Sequence, residues 1–163
     1  MKFWDTSAVL PLIFDEPHSR AARSATQATR CYYAWSWLKV EAHAGLTRRN
    51  ATAAQWNRLS ELLSVIHWIE IPEGQIDALC RANRKWRLRA GDAGHLFCFQ
   101  QVSYAIPDIE LVCFDDEITT AAAVAGLRLW KPPQGASPPS SVRERPVPYG
   151  RRTRHRTGPA GAR

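Results

Sequence analysis

A single α/β domain is the fold this sequence predicts, and three observations predict it. Short apolar runs alternate along the chain with longer segments of helical periodicity. The first and last of the buried runs each end on an aspartate, Asp5 and Asp115, as befits strands that point their carboxyl ends at a polar crevice. The composition changes abruptly near Lys131-Pro132-Pro133, which sets the end of the folded unit. We therefore expect one α/β/α domain over residues 1–133, a short parallel sheet of about four or five strands flanked by helices. No internal repeat interrupts it.

The elements follow in order. Lys2-Phe3-Trp4-Asp5 is a short first strand. Thr6 or Ser7 caps a helix to Phe14, with Pro11 costing it a hydrogen bond or delaying its start. Glu16 to Thr29 is polar and Ala-rich, a surface helix. Cys31-Tyr32-Tyr33-Ala34-Trp35 is a second strand. Ser36 caps a helix with an apolar stripe through Val40, Ala44 and Thr47, ending at Arg48-Arg49-Asn50. Thr52 to Ile66 is helical, with Trp56, Leu59, Leu62 and Leu63 at core spacing. His67 to Ile71 alternates as a strand and stops at Pro72. Glu73 to Trp86 and Asp92 to Val102 are helices. Glu110 to Phe114 is a buried strand, and Asp116 to Ala125 a helix ended by Gly126 in the left-handed capping position. Leu127 to Trp130 forms a last edge strand.

Composition narrows the class. The net charge is +7, but residues 1–130 carry 14 Lys/Arg against 14 Asp/Glu. The excess lies in residues 131–163, and the Pro- and Arg-rich segment 134–163 within it is expected to be disordered because too few apolar residues offset its ordering entropy. Basicity therefore says nothing about the domain's partners. No apolar run approaches the ~20 residues of a membrane helix. Asp5 interrupts any signal-peptide pattern, so a cytoplasmic protein is expected. Cys31, Cys80, Cys98 and Cys113 lie far apart among apolar neighbours, which reads as free buried thiols.

The chemistry rests on acids. Asp5 and Asp115 end strands, and Glu41 and Asp92 lie in first turns of helices able to flank the same crevice, all in apolar surroundings. Each has an ordinary role open to it: Asp5 as a turn or cap, Glu41 as a first-turn acid favoured by the helix dipole, Asp92 as an N-cap after Gly91. We assign capping at the last helix to Asp116 and the site to Asp115, with Glu117 a surface acid. Four converging carboxylates repel, and a hard divalent cation such as Mg²⁺ or Mn²⁺ relieves them through oxygen ligands. Such a site supports in-line attack of water on a phosphodiester. His95, one turn beyond Asp92, is expected to pack beside the site with a backbone hydrogen bond rather than act as a base. A phosphatase with an aspartyl nucleophile needs an acid where Ser7 stands, and a receiver domain needs an acidic pair at the first strand. Neither pattern is present.

In order, Asp5-Thr6-Ser7-Ala8-Val9 with Glu16-Pro17, Glu41-Ala42 with Leu46 and Arg48-Arg49, Leu88 through Leu96 around Gly91-Asp92-Ala93, and Val112 through Glu117 with Ala125-Gly126-Leu127 resemble the four motifs of PIN-domain ribonucleases. Among these the chain is most similar to the VapC toxins of toxin–antitoxin pairs. The departures are Gly94, where a larger apolar residue is usual, and Pro11. The resemblance implies a PIN-like nuclease domain over 1–133 and a metal-dependent endoribonuclease toxin using Mg²⁺ or Mn²⁺. It makes Asp5, Glu41, Asp92 and Asp115 both catalytic residues and metal ligands. It further implies an RNA substrate, a cognate antitoxin protein and a homodimer. The rival expectation is a catalytically silent PIN-like module acting in a protein or RNA complex, against which the presence of all four acids counts. The segment 134–163 has no counterpart in the family; it either touches RNA or is inert.

Overall fold

Phe3 and Trp4 are adjacent, yet they serve opposite layers, because successive side chains on a strand point to opposite faces. Phe3 packs with Leu96, Phe99 and Leu111, while Trp4 packs with Val9, Leu12, Leu38 and Val112. Both strand residues are buried, as expected of a parallel sheet covered on two sides. The fold is seen in a computed structural model that describes residues 1–29 and 31–132. Pro133, and the segment 134–163 with its expected disorder, lie outside the described residues.

Four strands form one parallel sheet in the order β3-β2-β1-β4: β1 is Lys2–Trp4, β2 Tyr32–Trp35, β3 Ile66–Ile69 and β4 Glu110–Val112. The helices are α1 Thr6–Val9, α2 Ser19–Gln27, α3 Trp37–Arg48, α4 Ala53–Ser64, α5 Ile76–Trp86, α6 Ala90–Ala105 and α7 Asp116–Val124. One face of the sheet carries Ala8, Ala22, Leu38, Ala42 and Leu59 from α1 to α4. The other carries Leu96, Phe99 and Ile118 from α6 and α7, with Leu79 of α5 against them. This is the expected α/β/α arrangement. No described helix is long and apolar enough to cross a membrane.

Several local expectations are corrected. The first helix stops at Val9 and tightens into a 3-10 turn over Leu10–Leu12, with Pro11 at its start, where a missing N–H costs least. Its cap is Asp5, not Thr6 or Ser7. Ser36 stands at the head of α3 without a side-chain capping bond, because its hydroxyl donates to Glu70 across the β2–β3 edge at 2.6 Å. The buried face of α3 runs through Leu38, Ala42, Gly45 and Leu46, whereas Val40 and Thr47 are exposed. Leu127 to Trp130 makes a single parallel bridge, Leu111 with Leu129, and not a full strand. Gly126 adopts φ +70, as its capping position predicts. Cys98 and Cys113 are buried, but Cys80 is exposed; all four thiols are free.

Candidate metal centre

The strand order reverses direction between β1 and β4. The chain leaves β1 toward β2 and later returns from β3 to pair β4 on the other side of β1. A crevice opens at the carboxyl ends of two such strands. Asp5 follows β1 directly, and its amide donates to Val112 O at the end of β4, 3.1 Å away. Ser7 Oγ accepts from Phe114 N at 2.9 Å and lies 3.5 Å from Cys113 Sγ. These bonds stitch the start of α1 to the β4–α7 loop, so Asp5 and Asp115 enter one crevice.

All four acids singled out from the sequence line that crevice. Asp5, Glu41, Asp92 and Asp115 share a cleft of about 360 Å³ with Thr6, Ser7, Leu10, Trp37, Val40, Ala44, Arg48 and Ile118. Asp116 and Glu117 do not line it; they face a separate depression beside Lys85 and Arg87. The ordinary and the functional roles of Asp5 and Asp115 turn out to coexist. Asp5 caps α1 by accepting Ser7 N on Oδ2 at 2.8 Å. Asp115 caps α7 by accepting Glu117 N and Ile118 N on Oδ1, at 2.9 and 3.0 Å. Capping therefore belongs to Asp115, correcting the assignment to Asp116, which is the exposed first residue of α7. Asp92 is in the first turn of α6, where the helix N-terminus favours a negative charge, and Arg89 holds the N-cap position.

His95 is the residue whose partner the sequence misassigned. It is 1% exposed, and its Nε2 bonds Glu41 Oε2 at 2.8 Å, a carboxylate rather than a backbone group. Among the described residues its Nδ1 has no hydrogen-bond partner, and it stands 3.6 Å from Asp5 Oδ1. The imidazole thus bridges two of the four acids from beneath. Burial alone pushes the imidazole pKa down, but the charges of Asp5 and Glu41 and the Glu41 hydrogen bond raise it overall. Burial likewise pushes Glu41 up, and His95, Thr6 and Trp37 more than offset this, leaving it below its usual range. Thr6 Oγ1 donates to the same Oε2 of Glu41.

Asp92 has no such partner. Burial first, then the charges of Asp115 and Asp5, push its carboxyl up to about 6, with Arg89 opposing. The cleft therefore holds more negative charge than its protein cations neutralise.

Two glycines shape the approach. A Cβ on Gly91 would stand 2.7 Å from Glu41 Oε1, so a larger residue there would displace that carboxylate. A Cβ on Gly94 would stand 2.2 Å from the nearest ring carbon of Trp35, a clash. The missing bulk at Gly94 is thus supplied by an indole from β2, whose ring also meets His95 edge-on at 5.3 Å. Arg48 lines the cleft, but Arg49 turns away to pair with Glu16 at 2.9 Å and lie over Phe14. Val40 and Ala44, expected in the core, line the cleft as well. His43 bonds Lys39 O and is not part of the cleft.

An oxygen-only donor set of this kind is suited to a hard cation. Among the described residues, no group of three or more His, Cys, Asp or Glu side chains stands close enough together to hold a metal ion. The carboxylates instead line a cleft, with the oxygens named above engaged by Ser7, Thr6, His95 and the α7 amides. In comparisons with known proteins, the chain matches no family model and no curated protein.

Proposed function

We propose that this chain is a divalent-metal-dependent endoribonuclease of the PIN-domain, VapC-like type, which hydrolyses RNA phosphodiester bonds and is neutralised by a cognate antitoxin. The observation that carries the reading is the convergence of Asp5, Glu41, Asp92 and Asp115 on one cleft, with the carboxyl of Asp92 pushed up to about 6. Excess like charge in a partly buried site is what a bound Mg²⁺ or Mn²⁺ relieves. The motif order along the sequence supports the same reading.

The residues then divide the work. Asp5 and Asp115, fixed by their capping bonds, and Asp92 at the head of α6 present carboxylate oxygens that would hold the cation. Glu41, bonded to His95 and Thr6, presents a fourth. A cation there supplies activation of water and neutralisation of charge on the phosphoryl oxygens. Thr6 and His95 keep Glu41 ionised and in place, and the apolar walls Leu10 and Ile118 limit competing water. A partner arginine is suited to closing the same cleft, because its planar fork meets carboxylates bidentately.

The test is cleavage of total RNA by purified protein with Mg²⁺ or Mn²⁺ and with EDTA. Metal-dependent cleavage lost in Asp5→Asn, Glu41→Gln, Asp92→Asn and Asp115→Asn is expected. EDTA-insensitive cleavage, or activity in these variants, defeats the metal reading. Folded protein that binds RNA without cutting it identifies the silent module instead. Expression of wild type should slow bacterial growth, Asp5→Asn should not, and a co-expressed adjacent gene should relieve the effect.

A further inference from the structure

Trp37 is a large apolar side chain left 46% exposed at the lip of the acid cleft. One face of its indole is covered: it stacks on Trp35 with ring centres 6.0 Å apart and planes 26° apart. Trp35 is in turn wedged over Gly94, the close approach that only a glycine there permits. The Trp37 ring is therefore backed by a fixed partner, and its indole helps to hold the Glu41 carboxyl below its usual range. The neighbouring Val40 is 52% exposed and lines the same cleft.

Trp37, Val40, Glu41, Ala44 and Arg48 lie on one face of α3, at intervals that repeat with the helical turn, and all five line the cleft. Along that face the order is aromatic ring, carboxylate, guanidinium, over roughly 16 Å of helix. Arg48 has no ion pair among the described residues. A ligand that offers a flat π face at one end and an anion at the other matches the two ends of this order, and a divalent cation would have to stand between Glu41 and any phosphate in the middle. An unpaired nucleic-acid strand has that chemistry. A peptide offers Arg48 a carboxylate just as well, but a carboxylate side chain brings no flat face for Trp37.

We propose that Trp37, backed by Trp35, is the stacking platform for one unpaired base of a single-stranded RNA whose backbone crosses the acid cleft and meets Arg48. This rests on the nuclease reading and adds to it the residue that seats a base; the base must be unpaired, since a paired base keeps its faces inside its own stack.

The test uses full-length protein carrying Asp115→Asn, which keeps a capping side chain while silencing cleavage. The probe is a short single-stranded RNA with a fluorescent adenine analogue placed at each position in turn, in Mn²⁺. One position should be quenched on binding. Trp37→Leu should abolish that quench and weaken binding on the order of tenfold, whereas Trp37→Phe should retain most of both. Arg48→Gln should lower affinity and reduce the salt slope by about one. The matching duplex should bind far more weakly than the single strand. Unchanged quench and affinity in Trp37→Leu, while wild type still cuts RNA, overturns the platform and leaves the nuclease standing. Equal binding of duplex does the same. Loss of binding to a protein partner, with RNA binding intact, assigns the surface to protein and also overturns the proposal. If wild type neither binds nor cuts RNA, both readings fall together.

Discussion

The Nε2 of His95 lies 2.8 Å from Oε2 of Glu41, joining α6 to α3 beneath the acid cleft. The imidazole is 1% exposed and the glutamate side chain 28%. The pair is thus shielded far more than a surface ion pair, and removing one partner leaves the other poorly compensated.

His95→Gln should lower stability through this pair, and the loss should depend on pH. The folded-state pKa of His95 is raised above its usual 6.5, so its contribution is full below 6.5 and is lost as pH rises through the folded value. That of Glu41 is lowered below 4.5, so its contribution is full above 4.5 and is lost as pH falls through the folded value. The stability difference between wild type and His95→Gln should therefore be largest between about pH 4.5 and 6.5. Denaturant titrations across pH measure it, and a flat difference removes the pair from the account.

Asp92 runs the opposite way. Its folded-state pKa of about 6 exceeds its usual 3.8, so the folded protein holds this proton more tightly than the unfolded chain. The metal-free protein should lose stability as pH rises from 3.8 through 6. Mn²⁺ or Mg²⁺ should raise the melting temperature at neutral pH and have little effect near pH 4, where the carboxyl is protonated and must lose its proton to bind metal. Asp92→Asn should be more stable than wild type without metal and indifferent to its addition. A divalent response equal in wild type and variant contradicts this.

Gly91→Ala and Gly94→Ala should fail differently. At Gly91 the new methyl presses on Glu41 Oε1, so activity and metal affinity should fall with a small stability change. At Gly94 it strikes the Trp35 ring, an overpacking of about 1–3 kcal/mol that should unseat the Trp35–Trp37 stack. Denaturant midpoints and tryptophan fluorescence separate the two. Trp35→Leu should recover part of the stability lost in Gly94→Ala, and strict additivity argues against the contact.

Asp115→Asn should silence cleavage with the melting temperature nearly unchanged, because asparagine also caps helices. Asp115→Ala should in addition lose roughly 1 kcal/mol with the two amide bonds. Asp116→Asn should do neither, since Asp116 is exposed and faces away from the cleft. Equal damage at Asp115 and Asp116 means the site extends beyond the cleft.

Much of this was legible in the chain itself. Apolar runs bounded by Asp5, Pro72 and Asp115 placed the strands to within a residue or two, and the α/β/α class followed from their alternation with helices. Asp5, Asp92 and Asp115 were readable because strand ends and helix starts are local features, whereas Glu41, expected in a first turn, lies in the second turn of α3, which begins at Trp37. Capping was harder: Asp115 and Asp116 are equally able to cap from sequence, and the extended backbone of Asp115, φ −87 and ψ 125, decided it.

Periodicity says which residues share a helix face, never which face meets the core. On α3 both Val40-Ala44 and Leu38-Ala42 are apolar stripes, and only the packing of β1 and α1 against the helix assigned the second to the core and the first to the cleft. His95 chose Glu41 for the same reason, because its partner lies 54 residues away and no local rule reaches that far. Gly94 of α6 looked like a departure until Trp35 filled it from β2. The sequence by itself determined the strands, the helices and the four carboxylates, since these depend on neighbours in the chain. The tertiary structure alone decided the histidine bridge, the backed indole and the cleft-facing side of α3, since these depend on which surfaces exclude water together.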